Sequence, residues 1–157
     1  MSKLVFGTQW VHIETITIDG EPVAKGRPRF IKSTGRTYTP AKTKKAQNKI
    51  RKIIEEQCQQ DDIFPYKFAC PIYIEARFYH KRPKRLYRKK DPEGLILKTT
   101  KPDLDNLLKL VKDAINDSGW WYDDSYNTTM LVQKDYCAKG EDPKTIINLY
   151  IKKQLED

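Results

Sequence analysis

Histidine is nearly missing from this chain, with only His12 and His80 in 157 residues. Both fall in strand-like segments without nearby partners in sequence, so no Ser-His-Asp or Cys-His arrangement emerges, and each is assigned a structural or surface role. Cysteine is sparse too. Cys58, Cys70 and Cys137 are odd in number and far apart, which excludes a disulfide framework or a zinc ribbon and points to a reducing compartment. The seven glycines are too scattered for a phosphate-cradling loop or a dinucleotide-binding turn. No apolar run approaches the roughly twenty residues of a membrane span, and no signal-peptide core opens the chain. A soluble, cytoplasmic protein with no membrane partner is the expectation. Neither an internal repeat nor a low-complexity segment is visible.

Acidic residues are in deficit, 21 against 30 Lys and Arg, which leaves a net charge of +9 and a pI near 9.4. Such a field draws polyanions, with nucleic acid first among them. The positive charge is clustered, because Lys81, Arg82, Lys84, Arg85, Arg88, Lys89 and Lys90 all fall within one stretch of ten residues. Alone, that run reads equally as a solvated loop or a localisation-like patch. The length and the 38% apolar content fit one folded domain over residues 1–157, with a flexible basic loop at about 81–101.

Along the chain the elements are mixed. Val11 to Ile18 is β-rich and ends at the turn signal Asp19-Gly20. Pro22 to Tyr38 reads as an extended hairpin with a basic lip made of Lys25, Arg27, Arg29 and Arg36. Thr39-Pro40 starts a helix to about Gln60, since Thr can accept from orphan amides and Pro loses no bond at the first helical position. Its apolar stripe is Ala46, Ile50, Ile53, Ile54 and Cys58, and Lys42, Lys44, Lys45, Lys49, Arg51 and Lys52 make the other side cationic. Pro71 to Tyr79 alternates as a half-buried strand. Lys81 to Thr100, interrupted by Pro83, Pro92 and Gly94, is assigned as a long flexible connection. A second helix follows from Leu104, with Leu107, Leu108, Val111 and Ile115 at helical spacing and Ser118-Gly119 as its stop. Thr128 to Cys137 and Thr145 to Ile151 read as strands joined by the turn Gly140-Glu141-Asp142-Pro143. The fold class is α+β.

Against the basic background, one acidic constellation stands out: Asp103 and Asp105, echoed by Asp123 and Asp124 beyond the second helix. Carboxylate-held Mg²⁺ can activate water and neutralise a departing oxygen in phosphodiester hydrolysis, and Asp is the residue type such a hard cation prefers. If the segment through Asp105 is extended, Asp103 and Asp105 share one side of the backbone; if the helix begins near Asp103, both sit in its first turn. A helix of roughly 20 Å followed by five extended residues retracing roughly 16 Å brings Asp124 back to Asp103, provided that the return runs antiparallel. Taken singly, each acid also fits a helix cap or a turn, and Lys109 fits an ordinary ion pair with Asp105. Lys109 equally fits a contact to phosphate or to the charge developing on the leaving oxygen.

At these residues the chain resembles the RusA family of Holliday junction resolvases, metal-dependent endonucleases of bacteria and their phages. The resemblance rests on Pro102-Asp103-Leu104-Asp105-Asn106-Leu107, Lys109, Asp113-Ala114, Gly119, Trp121, Asp123-Asp124 and Lys134. It rests also on Gly20, Pro22, Lys25-Gly26-Arg27-Pro28-Arg29-Phe30, Tyr38-Thr39-Pro40 and Thr43. The family implies a single α+β domain, a mixed sheet packed against two main helices. It implies a homodimer that binds four-way DNA junctions and makes paired symmetric nicks with Mg²⁺ or Mn²⁺. Asp103, Asp105 and Asp124 then match the metal-binding acids, with Asp123 beside them, and Lys109 the basic residue of the active site. Lys25, Arg27, Arg29, Arg36, Lys81, Arg82, Lys84, Arg85, Arg88 and Lys134 become DNA contacts, positioning without reading bases. The length and charge of residues 81–100 depart from the family signature. Rival readings are a DNA-binding protein without catalysis and a nuclease that prefers flaps or duplex.

Overall fold

A computed structural model describes residues 1–59 and 68–153. Its centre is a six-stranded mixed sheet in the order β1-β2-β8-β5-β7-β6. The strands are β1 (Ser2–Val5), β2 (Thr8–Asp19), β5 (Ile72–His80), β6 (Ile96–Leu97), β7 (Asn127–Tyr136) and β8 (Lys144–Lys152). A separate hairpin, β3 (Arg29–Ile31) with β4 (Arg36–Tyr38), carries the basic lip. The helices are α1 (Ala41–Gln59) and α2 (Leu104–Ser118). The sequence reading of an α+β mixed sheet against two main helices therefore holds. Gln60, the expected end of the first helix, lies outside the described residues.

Strand alternation and helical periodicity meet in one core. Ile16 and Ile18 of β2, Ile72, Ile74, Ala76 and Phe78 of β5, and Ile147 and Leu149 of β8 are buried in a single cluster with residues of both helices. From α1 come Ile50, Ile54 and Cys58; from α2, Leu107, Leu110, Val111, Ala114 and Ile115. The spacing of three and four is the stripe that a surface helix needs. In a smaller cluster, Tyr73 and Tyr150 alternate with the core positions of their strands, and the register shift between His12 and Glu14 in β2 brings Trp10 to the same side. Beside it, Glu75 accepts hydrogen bonds from Lys3, Tyr73 (2.6 Å) and Tyr150 (3.4 Å). Burial pushes this carboxyl up, and those bonds more than reverse it, leaving it below its ordinary value.

Among the described strands of the sheet, only β5 and β7 are parallel, and a parallel neighbour requires a crossover connection. Here α2 is that crossover. β8 inserts between β2 and β5, so the turn before it links β7 and β8 without making them a hairpin. Two strands escaped the sequence reading. β1 exposes most of its residues and so lacks an apolar face to signal it, although Phe6 and Gly7, at φ 48° and 75°, form the tight turn into β2. β6 has only two residues.

The stretch expected to be a flexible loop has bonds of its own. Tyr87 N–H donates to Lys84 O at 3.1 Å, Arg88 N–H to Asp91 at 2.8 Å, and Lys139 N–H to Glu93 O at 3.0 Å, before β6 joins the sheet edge. Arg82, expected on DNA, is buried instead. Its guanidinium donates to the carbonyls of Pro92 at 2.5 Å and Gly94 at 3.3 Å, closing the arc from within. Lys84, Arg85, Lys89 and Lys90 remain exposed on its outside.

Candidate active site and nucleic-acid interface

The mouth of α2 is built by lysines. Lys134 on β7 points its ammonium at the carbonyls of Thr100 and Pro102, each at 2.8 Å. Lys98 donates to Thr100 Oγ1 and Lys101 O, both at 2.6 Å, and Thr100 Oγ1 lies 3.1 Å from the Tyr136 hydroxyl. These bonds fix the three residues that precede Asp103. Lys134, expected to touch DNA, places its ammonium on these two carbonyls. Lys25, expected in the same role, donates its backbone N–H to Asn106 O at 3.0 Å and pairs its ammonium with Asp113.

Asp103 occupies the N-cap position of α2 with extended dihedrals (φ −68°, ψ 143°), but its side chain makes no capping bond. Asp105, in the first turn, is exposed, and among the described residues neither carboxylate has a hydrogen-bond or ion-pair partner. Lys109 is exposed and leaves Asp105 unpaired, although the two stand at ion-pair spacing. The structural uses that sequence offered for these residues, a cap and an intrahelical pair, are thus not taken up. Two free carboxylates at the positive end of a helix dipole offer hard oxygen ligands of the kind Mg²⁺ accepts.

Asp123 and Asp124 lie at the other end. The register of β5 and β7 sets Ile72 level with Asn127 and His80 level with Tyr136. The chain therefore leaves β5 at one rim of the sheet and re-enters β7 at the opposite rim, and the fifteen residues of α2 carry it across, about 22 Å. Beyond Gly119, whose φ of 75° gives the left-handed stop, Trp120 and Trp121 are buried in the core cluster. Phe68 N–H donates to Trp120 O at 3.3 Å and Tyr122 N–H to Phe68 O at 2.9 Å. This pairing holds residues 120–122 at the rim where β5 begins, so the expected retracing of the helix is not made there. The return is made by β7, about 23 Å from Asn127 to Lys134, and the residue it delivers to Asp103 is Lys134. Among the described residues, no three acidic, imidazole or thiol groups converge as a metal-holding group.

The two acids at the far end also differ from each other. The Asp123 carboxylate accepts from Ser125 Oγ and precedes a 3₁₀ turn, Asp124–Tyr126. The Ser125 hydroxyl, followed by the amides of Ser125 and Asp124, holds the Asp123 carboxyl below its usual range. Asp123 therefore shapes the turn that presents Asp124.

Beside Pro102 opens a cleft of about 760 Å³. Arg27, Arg29, Lys42, Lys81, Lys98 and Lys101 line it, with Glu21 as the carboxylate. Of these cations all but Lys98 are exposed, and none has an ion-pair partner among the described residues. Lys42, Lys98 and Lys101 were missed as site residues because nothing in their spacing marks them. Gly26 N–H donates to Thr43 Oγ1 at 2.9 Å, and a Cβ on Gly26 would meet that oxygen at 2.9 Å. Glycine is needed there to let the segment bearing Arg27 and Arg29 close onto α1. Arg36 stays exposed on β4, and Arg88 folds back on Asp91 at 3.3 Å.

Unengaged carboxylates that follow Pro102, a lining residue of an open cationic cleft, are what metal-assisted cutting of a phosphodiester strand asks for. Residues 19–150 match the endodeoxyribonuclease RusA family, and the chain belongs to that family. It is similar, at 33% identity over 135 residues covering 82% of this chain and 89% of the relative, to uncharacterized protein YqaN of Bacillus subtilis (strain 168). Membership implies endodeoxyribonuclease activity, and the family's nucleases act on Holliday junctions and are in general divalent-metal dependent. No helix among the described residues is long and apolar enough to cross a membrane.

Proposed function

We propose that the chain is an Mg²⁺- or Mn²⁺-dependent endodeoxyribonuclease that resolves four-way DNA junctions by paired nicks, working as a homodimer in recombination, repair or phage DNA processing. The observation that carries this reading is the pair Asp103 and Asp105, exposed at a helix N-terminus and used for nothing structural. A bound cation would supply Lewis-acid help to the attacking water and the leaving oxygen. Asp103 and Asp105 would hold it. Lys109, one turn along the same helix, would meet phosphate charge, and the cleft lined by Arg27, Arg29 and Lys81 would hold the strand by its backbone.

Because α2 separates the two acid pairs by its own length, the third ligand is drawn from a second copy: Asp124 of the partner subunit joins Asp103 and Asp105, and the reverse contact completes the other site. A two-fold interface makes such exchange reciprocal by symmetry. Such sharing would tie paired nicking to dimerisation. The test is cleavage of a synthetic four-way junction, with flap and linear duplex substrates alongside, in Mg²⁺ and in EDTA. Symmetric junction nicks that need the metal support the proposal. Binding without cutting in any metal indicates a non-catalytic DNA-binding protein, and preferential cutting of flaps or duplex indicates a different substrate class.

A further inference from the structure

β7 is paired along its length on one side and hardly at all on the other. β5 lies against it from Asn127 to Tyr136, whereas β6 pairs only with Asp135 and Tyr136, and Lys98 N–H donates to Lys134 O at 3.1 Å. Among the described residues, no strand pairs with Asn127 to Gln133 on that free side. Open edges invite pairing with another chain, and proteins blunt them with charge, proline or brevity. The far rim of the sheet does so, since β1 is four residues long and carries Lys3. β7 does not. Asn127-Thr128-Thr129-Met130-Leu131-Val132-Gln133 holds no charge and no proline in a chain that is 32% charged, and Met130 and Leu131 are 48% and 58% exposed. A comparable uncharged run, Thr145 to Ile151, belongs to β8, which is paired on both sides. The free edge of β7 thus has the composition of a central strand. The helix above it agrees. Asp113 pairs with Lys25, and Asp117 accepts from Gln47 of α1 at 2.6 Å, so that flank of α2 is occupied. At about 3.6 residues per turn, Leu104 and Leu108 fall on the opposite flank, over β7, and both are only half-buried.

We infer that the free edge of β7 is the surface on which a second copy of this chain pairs, antiparallel across a two-fold axis at Met130, with Leu104 and Leu108 of the two α2 helices closing over the joint. A strand edge is self-complementary under such an axis, because each N–H it offers meets the equivalent C=O turned round. Lys134 presents its carbonyl on the free side, and strand alternation presents the N–H and C=O of Val132 and Met130 there as well. With Met130 on the axis, Lys134 stands opposite Tyr126 of the partner subunit. Lys134 also rests its ammonium on Pro102 O, one residue before Asp103. The 3₁₀ turn that begins at Asp124 of the partner subunit is therefore delivered to the end of the sheet where Asp103 lies. The choice of a second copy as occupant rests on the reading that Asp124 completes the other subunit's site, and it names the surface that reading requires.

Met130→Cys tests the pairing directly. Residues facing each other as a hydrogen-bonded antiparallel pair lie about 5.5 Å apart at Cα, within disulfide reach. Mild oxidation of the full chain should give a covalent dimer from Met130→Cys on non-reducing gels. The parent, whose Cys58 and Cys137 are buried, should give none, nor should Lys44→Cys on the exposed side of α1. Met130→Lys sets two like charges against each other across the axis. It should sediment as a monomer at concentrations where the parent is a dimer, and it should lose Mg²⁺-dependent junction cleavage. If that variant fails to fold, the cross-link alone decides. A Met130→Lys chain that stays dimeric, or a Met130→Cys chain that cross-links no more than Lys44→Cys, overturns this edge as the interface and leaves the nuclease reading intact. A Met130→Cys dimer formed as expected, from a parent that cuts no DNA in any metal, upholds the pairing and overturns the nuclease reading instead.

Discussion

The two ends of α2 carry the same residue type in opposite settings. At its start, Lys98 and Lys134 hold the preceding backbone, a cationic cleft opens alongside, and Asp103 and Asp105 are left without partners. At its finish, Trp120 and Trp121 anchor the chain in the core, and Asp123 is engaged by Ser125 to form the turn before β7. One end is arranged by charge and the other by packing. The contrast teaches that neighbouring acids in sequence need not share a site, since nearly the whole of the fifteen-residue helix stands between these two pairs.

If the first end is the chemical one, Asp105→Asn removes a metal oxygen and should lower junction cleavage by more than about a hundredfold. Junction binding measured by gel shift should stay unchanged or tighten as a negative charge leaves. Cleavage near the parent rate would break the contrast. If the second end is set by packing, Trp121→Ala should cost about 3–5 kcal/mol in denaturant unfolding, because the side chain is only 1% exposed. A loss confined to activity would contradict that.

Within the first end, braces and DNA contacts should separate. Lys134→Met removes bonds to two carbonyls and should reduce cleavage roughly tenfold or more while leaving the salt dependence of binding as it was. Arg27→Ala should instead lower the slope of log binding constant against log salt by about one, with equal loss for every junction sequence. Exchanged outcomes would assign the two residues the other way. The smallest effect belongs to Glu75, away from both ends. Its folded-state pKa is depressed, so its contribution to stability is present above the unfolded value near 4.5 and lost as pH falls through the folded value. Glu75→Gln should blunt that acid-side loss in thermal melts, and an unchanged profile would place the acid sensitivity elsewhere.

Much of this layout was legible from residues alone. The stripe Ile50, Ile54, Cys58 and the spacing of Leu107, Val111 and Ile115 report burial directly, and so both helices and the core strands emerged. Gly119 announced its own left-handed stop. The convergence of Asp124 on Asp103 was argued from lengths, which cannot register that Trp120 to Tyr122 pair with Phe68 instead of retracing the helix. Nor does any local signal distinguish Lys134 and Arg82, turned onto backbone carbonyls, from Lys81 and Arg27, which face the cleft. Long-range hydrogen bonds decide those cases, and sequence spacing does not encode them.

The most direct measurement mixes two inactive variants, Asp105→Asn and Asp124→Asn, lets their subunits exchange, and assays a labelled four-way junction in Mg²⁺. Sites shared between copies leave each mixed dimer with one intact site, so about a quarter of the parent's sites return and single nicks appear without paired cuts. Should the mixture stay as inactive as its components, despite demonstrated exchange, acids from different copies do not combine and the shared site is wrong.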